Sequence, residues 1–182
     1  NSAYALIKFT AENNNPIIKL STWIFPAAGT VSFWVYDNFD GTALSNLLGE
    51  LLNQSCPYPG YHTFDLPSSI QLTSGDDFYI KVFYNTPASN FPVPIEVAQA
   101  GFCSPVIQTG KSWIGFDGNT WIPIGASTSY PWNLCIRAYA LEENFGGGGS
   151  GTGGYFFANS TPVSASAPSY PTFNWIDPAS HH

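Results

Sequence analysis

The stretch Thr30-Val31-Ser32-Phe33-Trp34-Val35-Tyr36 alternates, with Val31, Phe33 and Val35 on one side of an extended chain. A period of two is the signature of a half-buried strand, because successive side chains leave opposite faces. The same reading applies on both sides of this stretch. Upstream lie Tyr4–Phe9 and Ile17–Phe25. Downstream lie Tyr61–Leu66, Phe78–Tyr84, Ser112–Phe116, Trp121-Ile122 and Leu134–Tyr139. Turn pairs separate them: Ala28-Gly29, Asp40-Gly41, Pro59-Gly60, Ser74-Gly75 and Asp117-Gly118. Asp-Gly between two aromatic runs is a strong hairpin signal. Trp23, Phe33 and Phe83 read as core residues.

One stretch is ambiguous. Between Ala43 and Asn53, Leu44, Leu47, Leu48, Leu51 and Leu52 fit a helical stripe. Gly49 would weaken that helix by roughly 1 kcal/mol. A strand from about Leu47 fits the neighbouring spacing, and the reading leans to it. Short strands, Gly/Pro turns and no long helical pattern predict an all-β chain. The expected architecture is an antiparallel β-sandwich, jelly-roll-like, over residues 1–141.

Composition narrows the function. Only 9% of the 182 residues are charged, against about 25% in an average domain. Aromatics reach 16%, with 6 Trp and 10 Tyr. A disordered chain would be aromatic-poor and charge-rich. Five cations against twelve acids, a net charge of −7, cannot build the basic field that nucleic acid requires. No apolar run approaches the roughly 18 residues of a membrane span, so no membrane insertion is expected. Low charge with many Tyr, Trp, Asn, Ser and Thr suggests an extracellular β-protein.

Past residue 141 the pattern changes. Residues 142–154 contain GGGGSGTGG and read as a flexible linker. Residues 155–180 hold Phe156, Phe157, Phe173, Trp175 and Ile176, each costing roughly 1.5–3 kcal/mol if left in water. This segment reads as a docked strand or the start of a further domain. His181-His182 resembles the remnant of a purification tag.

Several motifs occur in order. They are Tyr58-Pro59-Gly60-Tyr61-His62-Thr63-Phe64-Asp65-Leu66, then Ile70 to Val82, then Tyr84-Asn85-Thr86-Pro87 with Phe91-Pro92-Val93-Pro94-Ile95-Glu96. Gly110 to Trp121 and Asn133-Leu134-Cys135-Ile136-Arg137-Ala138-Tyr139 follow. Together they resemble the lectin-like β-sandwich domain found C-terminal to papain-type and other secreted bacterial and archaeal peptidases. The resemblance covers about Tyr4 to Ala140. It implies a non-catalytic accessory module of a larger secreted or cell-surface bacterial protein. The tail is similar to an interdomain start in large secreted Bacteroidetes-type proteins.

The residues offer little for catalysis. His62 is the one histidine outside the terminal pair, and it reads as a strand histidine. No G-x-S-x-G elbow is present. Asp37-Asn38-Phe39-Asp40-Gly41-Thr42 could turn Asp37 and Asp40 toward calcium, or could be an Asx turn between strands. Recognition has more material. Sugars are held by aromatic faces against C–H surfaces, with amides and carboxylates on the hydroxyls. Trp113, Trp121, Tyr130 and Trp132, with Asp117, Asn119 and Asn133 beside them, are the candidate ligand residues for carbohydrate or a cell-surface glycan. The same aromatics would serve a module packing against an adjacent domain. For the three cysteines, Cys135 reads as a core residue. Cys56 and Cys103, both in Pro-containing loops, are the pair expected if one disulfide forms.

Overall fold

A computed structural model describes residues 1–25, 28–87, 89–101 and 103–141, and the strand backbone of 155–157. The described chain is built of strands and turns. In chain order the strands are β1 (Ser2–Thr10), β2 (Ile17–Ile24), β3 (Gly29–Phe39) and β4 (Leu44–Cys56). Next come β5 (Gly60–Ile70), β6 (Asp77–Asn85), β7 (Ile95–Glu96) and β8 (Ser112–Gly115). The last are β9 (Ile122–Ile124), β10 (Asn133–Leu134), β11 (Ile136–Ala140) and β12 (Tyr155–Phe157). They form a six-stranded sheet in the order β4-β3-β6-β1-β8-β9 and a four-stranded sheet in the order β12-β11-β2-β5. A small ladder joins β10 to β7.

The alternation read from Thr30 to Tyr36 sets which side is core. Val31, Phe33 and Val35 are fully buried, as are Ala5 and Ile7 of β1 and Ile80, Val82 and Tyr84 of β6. From the second sheet, Leu20, Ile24, Ile136 and Ala138 join the same cluster. Each large side chain buried this way contributes roughly 1.5–3 kcal/mol. Phe33 meets Phe64 across the sheets with ring centroids 5.9 Å apart. The sandwich is therefore filled from both inner faces, as aligned sheet packing requires.

Two aromatics expected in the core are not there. In β2 the buried alternate positions are Leu20, Thr22 and Ile24, so Trp23 faces outward and is 40% exposed. In β6 the inward set is Phe78, Ile80, Val82 and Tyr84, which places the half-buried Phe83 on the other side, against Tyr4 at 4.8 Å.

The ambiguous stretch is strand β4. Pairing with β3 supplies the backbone partners that a helix would find internally, and the leucine stripe is split between half-buried and exposed positions. Gly49 also rests on Ile70, where an added Cβ would lie 2.8 Å from Ile70 Cδ1. The β3–β4 ladder shifts register between Val31 and Phe33 and again between Val35 and Tyr36. Asn53 at the first shift has φ 52°, and Asn46 near the second has φ 62°. Asn tolerates this left-handed region better than most residues. Each extra residue bends its strand and adds twist.

The edge of β11 carries β12, with Ala138↔Phe157, Tyr139↔Phe156 and Ala140↔Tyr155 in antiparallel register. The linker expected at 142–154, the remainder of the 155–180 tail and the His pair lie outside the described residues.

Candidate functional site

The candidate ligand residues fall into two groups. The first lies on the outer side of the six-stranded sheet. There the registers set the row Trp34↔Lys81↔Leu6↔Trp113 across β3, β6, β1 and β8. A second row runs Tyr36↔Tyr79↔Lys8. Leu6 is fully buried although it faces away from the sandwich core, so this face carries its own packed aromatic layer. Phe39 supplies part of it. Its ring lies 5.0 Å from Trp113, 5.7 Å from Tyr79 and 6.4 Å from Trp121. Trp113 and Trp121 are both half-buried.

Asp117 and Asn119 shape the turn between β8 and β9. Asp117 Oδ1 accepts the backbone N–H groups of Asn119 at 2.9 Å and Thr120 at 2.7 Å, and Oδ2 accepts the Thr120 hydroxyl at 2.9 Å. These bonds, led by the Thr120 amide, hold the carboxyl down at about 2. Gly118, at φ +73°, packs so closely on Tyr4 that a Cβ would sit 2.9 Å from the ring. Lys81 Nζ donates to the Gly118 carbonyl at 3.0 Å while lying 5.0 Å from the Tyr4 ring centre and 5.4 Å from that of Trp34. Partial burial lowers the affinity of this ammonium for its proton.

The second group is Tyr130, Trp132 and Asn133. Tyr130 and Trp132 touch at 4.9 Å, and Trp132 packs partly on the core. Asn133 Nδ2 donates to Glu96 Oε2 at 3.2 Å across the β10–β7 ladder. Glu96 is also among the charges that raise the Tyr61 phenol to about 12, mainly an effect of burial. Tyr61 lies 5.5 Å from Trp23 and 5.1 Å from the Arg137 guanidinium. Trp23 and Tyr61 form an aromatic pair on the outer side of the four-stranded sheet.

Sequence reasoning missed Phe39, Tyr79, Trp34, Trp23, Glu96 and Arg137. For most of them a signal existed in the outward positions of strands whose inward positions were already identified. Tyr79 and Lys81, or Tyr61 and Thr63, are such alternates.

Two further expectations concern the cysteines and the acidic turn. Cys56, Cys103 and Cys135 are all free. Cys56 is fully buried at the end of β4, whereas Cys103 is exposed and donates to the Val97 carbonyl at 3.4 Å, so the expected pair occupies two separate environments. Burial pushes the Cys56 thiol up to about 11 and that of Cys135, which is half-buried, up to about 12. The acidic turn, for its part, is closed on itself. Asp40 Oδ1 accepts the N–H groups of Thr42 at 2.8 Å and Ala43 at 2.7 Å, which lowers its pKa. Asp37 Oδ2 accepts Asn38 and Asn46 side-chain amides, both at 2.9 Å. These bonds make an Asx turn, and among the described residues no three His, Cys, Asp or Glu side chains gather as a metal site.

His62 is 7% exposed. It bonds the Tyr58 carbonyl through Nε2 at 2.8 Å and lies between the rings of Tyr58 and Phe64. This is the environment expected of a strand histidine.

Residues 3–140 match the profile of a family described as Lectin like domain. Similar solved structures include the following two. A clostridial cysteine protease, Cwp84, studied after propeptide cleavage, has 17% identity over 76% of this chain and 35% of its own, with a TM-score of 0.57. The cysteine protease and lectin-like domains of Cwp84, a surface layer associated protein of Clostridium difficile, give 18% identity over 76% of this chain and 31% of that one, with a TM-score of 0.55. The chain thus spans about a third of the length of these solved chains. A comparison with curated proteins finds no match.

Proposed function

The chain belongs to the lectin-like domain family, and from that premise we propose that it is a non-catalytic, extracellular accessory domain that binds carbohydrate on behalf of a larger secreted or cell-surface protein. The observation that supports this most directly is the aromatic paving outside the sandwich. Trp34, Tyr36, Phe83, Tyr4 and Trp113 occupy outward, half-buried positions on four strands, with Lys8 and Lys81 between them. Aromatic rings held in fixed register give the C–H faces of a sugar a stacking surface, and the low net affinity of each contact suits a multivalent cell surface. Trp113, Trp121, Asp117 and Asn119 line one end of this surface. Tyr130, Trp132 and Asn133 line a separate one.

The larger protein in this reading is a peptidase. Both similar structures are described as a cysteine protease, and one as containing a lectin-like domain beside it. That neighbour favours a second reading, in which the exposed aromatics pack against an adjacent catalytic domain and take no soluble ligand. A glycan array followed by calorimetry, with and without Ca²⁺, separates the two. Millimolar or tighter binding to a glycan class, unchanged by chelator, supports the first reading. Absence of binding across broad glycan classes leaves only the second.

A further inference from the structure

We propose that the outer edge of β11 is a strand-acceptor site, that Tyr155–Phe157 fills it from the same chain, and that a second copy of the chain can fill it with the same segment. This inference is independent of the carbohydrate reading. β11 pairs with β2 from Ile136↔Thr22 to Ala140↔Ile17, and β12 takes its other side in the order β12-β11-β2-β5. Without β12, β11 would end the sheet. A bare edge is a row of unpaired N–H and C=O groups that another strand can satisfy.

One bond fixes which amides face that edge. Leu141 N–H donates to the Pro16 carbonyl at 2.9 Å, on the β2 side. Backbone groups alternate along an extended strand, so the Tyr139 N–H also faces β2, and those of Ala138 and Ala140 face β12. Ala138↔Phe157 and Ala140↔Tyr155 are then the hydrogen-bonded pairs, with Tyr139↔Phe156 the closer, non-bonded pair between them. On the inner face, Ile136, Ala138 and Ala140 belong to the core cluster. The sandwich therefore holds this edge in place and presents it preorganised to an incoming strand.

The connection suits exchange. Residues 141–154 join two strands that lie about 4.8 Å apart, where hairpins commonly use about 2–5 residues. A segment of that length reaches up to about 45–50 Å when extended, more than the roughly 35–40 Å across a domain the size of residues 1–141. Its sequence includes GGGGSGTGG, with almost no apolar side chain to bury. Three residue pairs hold the segment on its edge. Every backbone bond given up on one edge is recovered on the identical edge of a second copy. Concentration then decides, against a tether whose effective concentration is in the millimolar range.

Two measurements on the intact chain test this, with circular dichroism confirming the fold of each variant. Amide hydrogen exchange compares the native chain with Phe157→Pro, which deletes the N–H opposite Ala138. The Ala138 and Ala140 amides should exchange tenfold or more faster in the variant, and those of Tyr139 and Leu141 within twofold of native. Equal rates at Ala138 and Ala140 in the two proteins overturn the acceptor edge. The second measurement uses Cys103→Ser to remove the exposed thiol. A copy that also carries Tyr139→Cys is mixed at about 1 mM with a copy that also carries Phe156→Cys. A disulfide fits the Cα spacing of about 4.5 Å in such a pair. The expected result is a crosslinked heterodimer at least tenfold more abundant than the homodimers of either copy alone, and reduced tenfold when Phe157→Pro is added to the second copy. Absence of that excess, with a crosslink forming inside a chain that carries both cysteines, overturns the exchange and retains the acceptor edge. No crosslink in either arrangement overturns both.

Discussion

Phe39 of β3 and Trp113 of β8 pack edge to face at 5.0 Å and 75°, although β6 and β1 lie between their strands in the sheet. Three strand spacings come to about 14 Å on a flat sheet. The end of the β3–β4 hairpin must therefore lean over the outer face, and the two register shifts in that hairpin supply the bend. This contact closes the aromatic layer over Leu6.

Phe39→Ala removes the ring that joins Tyr79, Trp113 and Trp121. A fully buried Phe→Ala change costs about 3–5 kcal/mol, and Phe39 is half-buried, so a loss of about 1–2 kcal/mol is expected. Urea denaturation gives the value, and the near-ultraviolet signal of the two tryptophans should weaken with it. An unchanged midpoint would mean that the hairpin does not cover this face.

A second prediction concerns a polar link through the core. Thr22 Oγ1 donates to the Cys135 carbonyl at 2.9 Å and shares a 2.6 Å bond with Tyr84 Oη. A hydroxyl has a single proton, so Tyr84 is the donor in that pair. Tyr84→Phe deletes only this donor and should cost about 1 kcal/mol. Thr22→Val strands both the Tyr84 hydroxyl and the Cys135 carbonyl in a buried site and should cost about 2–3 kcal/mol. The order of the two unfolding midpoints checks the assignment of the donor.

Acid should loosen the β8–β9 turn. Asp117 has its pKa lowered from 3.8 to about 2 by the Thr120 and Asn119 amides and the Thr120 hydroxyl. A depressed carboxylate contributes stability above its unfolded pKa and loses it as pH falls through the folded one. The loss therefore falls mainly between pH 4 and 2. In a proton-resonance titration, the Thr120 amide should shift through this window in the native chain and stay flat in Asp117→Asn.

The thiols should differ in reactivity. Cys103 is exposed, while burial raises Cys56 to about 11 and Cys135 to about 12. At pH 8 iodoacetamide should label Cys103 in the folded chain within minutes and reach the other two only after denaturation, because the thiolate is the nucleophile. Intact mass without reductant counts the labels. A product bearing a single label after unfolding would restore the disulfide between Cys56 and Cys103.

Much of the fold is local and was legible for that reason. Val31, Phe33 and Val35 announce their face by alternation, and Asp117-Gly118 announces its turn by backbone preference. The leucines of β4 carried two periods at once, and pairing with β3 decided between them. Trp23 shows where the pattern failed. A tryptophan in a strand suggests core, but only its phase relative to Leu20 and Ile24 places it outside.

The candidate site was half legible. Trp113 and Trp121 were named, and both touch Phe39. Asn133 was named, and it bonds Glu96. The partners in each case come from distant strands. For Asp37 and Asp40 the sequence offered an ion site or an Asx turn, because composition shows oxygens without showing the amides that bond them.

By itself the sequence determined the strands, the two-faced pattern that makes them a sandwich and the family to which they belong. Those follow from side-chain alternation and turn chemistry, which act over a few residues. Only the tertiary structure decided which outward aromatics meet. Strand order sets those meetings, putting Tyr61 in contact with both Trp23 and Arg137, which lie more than a hundred residues apart in the chain, and the bends in β4 help carry Phe39 to Trp113. Alternation fixes the face on which a side chain lies, whereas the neighbour it finds there depends on long-range pairing that no short window contains.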